Sequence, residues 1–133
     1  MNTKLNKIFA EISAGELIDK ITILEIKKVK ITNKDKLIEI EKELLSLSET
    51  SKKFIPDNTE ILKFKYSLKD INLKLWDIED AKRSAEKNNE FGKEFIELAR
   101  AVYLTNDKRA KIKSKINEMV GSNIKEIKEY ADY

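Results

Sequence analysis

The chain has 133 residues, 27 basic and 24 acidic, for a net charge of +3, with 38% charged and 41% hydrophobic side chains. That balance excludes a membrane-embedded protein and an acidic disordered tail. The absence of Cys and His excludes disulfides, thiolate zinc sites, cysteine nucleophiles and a Ser-His-Asp triad. Chemistry remains open only to carboxylates, Lys, Arg, hydroxyls and Tyr.

Residues 3–12 carry no clear helical period, and Ile8, Ala10 and Ile12 alternate, so an extended lead-in is expected. Glu11 interrupts the short apolar run behind Lys4 and Lys7, which argues against a signal peptide. No window approaches the ~18 apolar residues of a membrane span, and a cytoplasmic protein is expected. Ser13-Ala-Gly-Glu16 fits a capping box, opening a first helix over about 14–31. Its apolar residues cover more than half of its circumference, the mark of a central helix. Asn33 or Asp35 starts a second helix, apolar on one face through Leu37, Ile40, Leu44 and Leu47.

The stretch from Ser46 to Asn58, with its Ser, Thr, Lys and Pro56, reads as the main loop. Asp57-Asn-Thr-Glu60 reads as a second capping box. The third helix keeps a heptad spacing through Ile61, Phe64, Leu68, Ile71, Leu75, Ile78 and Ala85, with Lys82 in an apolar slot. Asn88, Asn89 and Gly92 end it. A fourth helix is expected over about 90–120, with Gly121 as its terminating glycine. Asn123-Ile-Lys-Glu126 is expected to cap a short C-terminal helix. The whole reads as one all-α domain over 1–133: a bundle of four main helices dominated by a long helical hairpin. Two helices of about 30 residues reach about 45 Å, longer than a compact sphere of this chain length. A homodimer covering their ends, with coiled-coil packing, is therefore expected.

The informative residues are polar ones in apolar phases. The fourth-helix stripe 95, 98, 102 should continue through 105 and 109, which are Thr105 and Arg109. With Asn106 and Asp107 they form a polar band in a greasy helix. Such groups, buried unpaired, cost about 1–3 kcal/mol each, so partners or a ligand must face them. On the third helix Trp76, Asp80 and Arg83 share a face, and Glu79 can pair with Arg83. On the first, Glu16, Asp19, Lys20 and Thr22 lie within two turns. Only three of the 27 basic residues are Arg: Arg83, Arg100 and Arg109. A chain that supplies Lys elsewhere uses Arg where a planar fork must grip a carboxylate or phosphate. Two readings stand side by side, a buried Arg–carboxylate network that fixes helix register and an anion-binding pocket. They can coexist.

The remaining motifs are weaker. Acid pairs at i,i+3 (Glu16/Asp19, Asp77/Asp80, Glu94/Glu97) barely exceed chance spacing in a chain this acidic, so no metal site is expected. The run Lys108, Arg109, Lys111, Lys113, Lys115 reads as a solvated helix surface, and nucleic-acid binding is not expected. Trp76 reads as core, with ligand stacking the alternative. No Gly-rich phosphate loop, catalytic residue or cofactor is expected.

Three segments carry a resemblance over nearly the whole chain: Gly15-Glu-Leu-Ile-Asp-Lys-Ile-Thr-Ile-Leu-Glu-Ile-Lys27, Leu75-Trp-Asp-Ile-Glu-Asp80, and Phe95-Ile-Glu-Leu-Ala-Arg-Ala-Val-Tyr103 with Asn106-Asp-Lys-Arg-Ala-Lys-Ile-Lys113. They resemble a family of small all-helical bacterial and phage proteins of unknown function. The resemblance implies a polysaccharide or nucleotide-sugar context and supplies no catalytic residues.

The expected function is thus a non-catalytic binding or assembly protein. Its polar cluster of Glu16, Asp19, Lys20, Trp76, Asp80, Arg83, Arg100, Asn106, Asp107 and Arg109 would hold an anionic group, a sugar phosphate or a partner helix. The alternative is a small all-α enzyme acting on a phosphorylated or carboxylated metabolite, with the arginines as clamps and Asp107, Asp80 or Glu16 as acid or base.

Overall fold

The computed structural model describes residues 4–133. Four helices account for the regular structure of these residues: α1 Ala14–Lys30, α2 Lys34–Phe54, α3 Thr59–Lys87 and α4 Lys93–Val120. The fold is an all-α bundle, as the periodicities require, and none of its helices is long and apolar enough to cross a membrane.

Three of the four starts have a side-chain cap; α4, starting after Gly92, has none. The Ser13 hydroxyl accepts from the Glu16 amide at 3.2 Å, and the Asn33 carboxamide accepts from the Lys36 amide at 3.0 Å. Asn58 caps α3 through the Ile61 amide at 2.8 Å, one residue beyond the expected Asp57. Gly121 ends α4 in the left-handed region (φ 64, ψ 47). The Ser122 amide then returns to the Asn117 carbonyl at 2.9 Å, closing the last turn as glycine-terminated helices do.

α1 is the central helix: it alone packs against the other three, whereas α2 packs against α1 only. Nine of its 17 residues are buried, including Leu17, Ile18, Ile21, Leu24 and Ile26. Ala14 and Ile18 share a core with Ile61 and Leu68 of α3 and Ile116 of α4. The start of α3 and the end of α4 therefore lie at one end of the bundle, and the two form the long antiparallel hairpin closed by residues 88–92. Each apolar side chain buried this completely contributes about 1.5–3 kcal/mol.

Two expectations fail. The segment 46–54 is helix, the last turns of α2, and the loop shrinks to 55–58. Ser and Lys permit helix, and Thr50 satisfies its hydroxyl on the Ser46 carbonyl at 3.1 Å. The break comes only where Pro56 holds Ile55 in extended backbone (φ −93, ψ 125). The short C-terminal helix does not form, and residues 123–133 are irregular. The side chains that would have capped it are engaged elsewhere: Asn123 donates to Glu11 at 2.7 Å, and Glu126 receives Lys113 at 3.0 Å.

Candidate functional site

The interruptions in the three greasy seams meet around Asp19, whose side chain has no exposure at all. Arg109 of α4 grips it in a bidentate fork with one edge of the guanidinium. Nε donates to Oδ1 at 2.9 Å and Nη2 donates to Oδ2. Asn72 of α3 donates to the same Oδ1 at 2.9 Å and to the Thr22 hydroxyl at 2.9 Å. Thr22 in turn donates to the Asp19 carbonyl at 2.7 Å. A buried carboxylate needs this many donors to offset its lost hydration. Asp19 holds the Arg109 guanidinium above its ordinary value, chiefly through these hydrogen bonds.

One turn toward the end of α4, Lys113 is equally enclosed. Its Nζ donates to Glu16 at 2.5 Å, lies 3.0 Å from Glu126, and is 4.0 Å from Asp19 Oδ2. Burial works to lower the Lys113 pKa, but the bonds to Glu16 and Glu126 and the Asp19 charge prevail and raise it. Conversely, the Lys113 bond lowers the Glu126 carboxyl below its ordinary range.

The same end of α1 is docked by its backbone. The Gly15 amide donates to Asn117 Oδ1 at 2.7 Å and the Ala14 amide to the Ser122 hydroxyl at 3.1 Å. Side chains of α4 and the tail thus satisfy amides that a helix start leaves open. The approach is close enough that a Cβ on Gly15 would overlap the Lys113 carbonyl oxygen.

Beside this network a cleft of about 440 Å³ runs between the C-terminal half of α1, α3 and α4. Ile23, Ile26, Leu75 and half-buried Trp76 give it apolar walls, while Lys27, Asp80, Asn106 and Arg109 contribute polar groups. The remaining amino group of the Arg109 guanidinium, Nη1, donates to Asn106 Oδ1 at 3.4 Å. A second cavity of about 630 Å³ lies between the irregular tail and the other side of Asn106 and Arg109, walled by Tyr103, Asp107, Tyr130 and Tyr133. There the Tyr133 hydroxyl donates to Asp107 Oδ2, which raises the Tyr133 pKa.

The expected cluster is therefore gathered in part. Glu16, Asp19, Asn106 and Arg109 converge, and Trp76, Asp80 and Arg83 border the cleft next to them. Asp107 faces the tail cavity instead. Lys20 and Arg100 are exposed and line none of these cavities. The three arginines do not act as one clamp: Arg83 lies on the surface bound to Glu79 at 2.7 Å, lowering the Glu79 pKa, and only Arg109 reaches inward. The basic run is not uniformly solvated either, because Lys113 is buried.

Lys113, Asn72 and Asn117 are the polar residues that sequence reasoning passed over. The spacing 105, 109, 113, 116 would have found Lys113 on the inner face of α4. The spacing 61, 65, 68, 72, 75 would have put Asn72 rather than Ile71 on the inner face of α3. Among the described residues no group of acids stands ready for a metal ion.

The chain belongs to DUF6165, a family of unknown function whose model matches residues 8–132. No curated protein and no solved structure matches it.

Proposed function

We propose that this member of DUF6165 is a non-catalytic binding protein whose α1–α3–α4 cleft takes a small hydroxylated ligand bearing an anionic group, a sugar phosphate or nucleotide sugar. The observation that carries the reading is the half-buried Trp76 indole lining a cleft that Asn106 and Arg109 also line, the Arg109 Nη1 group held there only by a long 3.4 Å bond to Asn106 Oδ1. An indole face covers the apolar side of a sugar ring, and carboxamide and carboxylate groups such as Asn106 and Asp80 bond hydroxyls. Lys27, on the α1 side of the cleft, is the cation for the anionic group, because Arg83 is already bound to Glu79 and most of Arg109 to Asp19.

Binding without catalysis is favoured by the state of the buried groups. Asp19 already accepts from Arg109 and Asn72, and Lys113 is held by Glu16 and Glu126. Neither is placed to exchange a proton with a substrate. On this reading the buried network is a rigid support for the cleft. The protein would act in the cytoplasm, as a homodimer with a coiled-coil-like hairpin, in a polysaccharide or nucleotide-sugar setting.

Calorimetric titration of the full chain with glucose 1-phosphate, UDP-glucose and inorganic phosphate tests this. Saturable binding of a sugar-bearing probe, weakened at least about tenfold in Trp76→Leu, supports the reading. Heat from inorganic phosphate alone, indifferent to Trp76, contradicts it.

A further inference from the structure

We propose that the pocket enclosed between the C-terminal half of α4 and the irregular tail binds a small polycarboxylate, a di- or tricarboxylic acid. The pocket shares no lining residue with the α1–α3–α4 cleft, so the inference stands apart from the reading of that cleft.

The pocket has a local cause. Ala110 and Ser114, one turn apart, are short, which leaves the surface of α4 recessed between the longer Lys111 and Lys113. The tail turns back along α4 beyond Gly121 and brings Glu126 to Lys113 and Tyr133 to Asp107. Glu126, Ile127 and Lys128 then wall the recess, enclosing about 300 Å³.

Its charge is out of balance. Three ammonium groups, those of Lys111, Lys113 and Lys128, line the pocket against one carboxylate, that of Glu126. Lys113 is only 6% exposed and is therefore a fixed part of the wall. It has three hydrogens to donate. Glu16 takes one and Glu126 at 3.0 Å faces a second, while Asp19 at 4.0 Å is too far to bond the third. Glu16 and Asp19 answer the Lys113 charge from α1 and do not line the pocket. Lys128 comes no closer than 3.8 Å to Glu126. Lys111 makes no salt bridge among the described residues. Like charges gathered around a concave site draw in a counter-ion.

The chemistry of the lining selects the class of anion. A carboxylate, that of Glu126, is already received there by Lys113. No arginine lines the pocket, and the amides of residues 110–117 lie inside α4. The planar fork and the free backbone N–H groups that favour a phosphate are therefore both missing. Lysines are point charges, and here they stand on both sides of the recess, two on α4 and one on the tail. Carboxylates spread over a carbon skeleton meet such separated charges better than charge concentrated on one phosphorus. The Ser114 hydroxyl adds a donor between them.

Titration of the full chain with citrate near neutral pH and at constant ionic strength, followed by backbone amide shifts in nuclear magnetic resonance, is the test. Saturable shifts confined to residues 110–117 and 126–128 are expected. The dissociation constant should rise at least about fivefold in Lys111→Gln and in Lys128→Gln. Both side chains are exposed, so the thermal midpoints of these variants without citrate should match wild type. Trp76→Leu should leave citrate affinity unchanged, and inorganic phosphate should give no saturable shift at these residues. Failure of citrate to saturate by tens of millimolar, an affinity indifferent to both lysine variants, or phosphate binding as tightly as citrate overturns the proposal.

Discussion

Asp19 and Arg109, 90 residues apart in sequence, are joined by a bidentate fork, Nε and Nη2 of one guanidinium on a carboxylate with no exposure. This single pair ties the central helix to the end of the long hairpin, and Asn72 adds the third helix to the same oxygen. A fork on a carboxylate fixes direction as well as distance. The pair therefore sets how α1 is rotated and how far it has slid along α4. It also leaves Nη1 of the same guanidinium bonded to Asn106 at the cleft.

Replacing Arg109 separates geometry from charge. Arg109→Lys keeps the charge but loses the fork, and should destabilise by about 1–3 kcal/mol. Arg109→Met strips Asp19 of its bonded cation, leaving only Lys113 at 4.0 Å, and should cost about 3–5 kcal/mol. The double variant Asp19→Leu/Arg109→Met should recover most of that loss, because the expense of a buried pair lies in stranding one partner. Urea unfolding of the three variants measures each value, and equal stability for wild type and Arg109→Met would show that the pair is not buried in solution.

Gly15→Ala should destabilise by at least about 1–3 kcal/mol, since the added methyl overlaps the Lys113 carbonyl oxygen, a backbone atom that cannot turn aside. The comparison is Gly92→Ala, where nothing lies within 4 Å of the added carbon. Thermal unfolding should place the Gly15 variant well below wild type and the Gly92 variant close to it.

The tail is held by an acid-sensitive latch. Lys113 lowers the Glu126 carboxyl below its ordinary value of 4.5. A carboxyl lowered on folding contributes stability that is complete above its unfolded value and is lost as pH falls through the folded one. Backbone relaxation of residues 122–133 by nuclear magnetic resonance should therefore show an ordered tail near neutrality that becomes mobile once pH drops below 4.5, before the bundle unfolds. Glu126→Gln should release the tail at neutral pH. A tail equally ordered in that variant would place the latch elsewhere.

Much of this architecture was legible in the sequence, for particular reasons. The broad apolar cover of α1 announced a central helix, and Gly121 announced the end of α4. Arg109 betrayed the network because it occupies a phase where Leu or Ile belongs, whereas Thr105, equally out of phase, is buried but bonds to none of its members. What could not be read was partner choice over long sequence distances. Asn123 and Glu126 have the spacing of a cap, yet Glu11 and Lys113 engage them first. Lys113 looked like one lysine among many, because burial depends on which face α1 covers. The exposed Arg83 and Arg100 show that scarcity of a residue type does not place it in a site.

Trp76 provides the most direct test of the central claim, that the cleft beside the Asp19–Arg109 pair is a ligand site. It is the only tryptophan in the chain and forms one wall of the cleft, so its emission reports that cleft alone. Titration with UDP-glucose should give a saturable change in intensity or wavelength, and Asn106→Leu, with its helicity checked by circular dichroism, should abolish it. Emission that stays constant to millimolar probe in the folded protein would contradict the account.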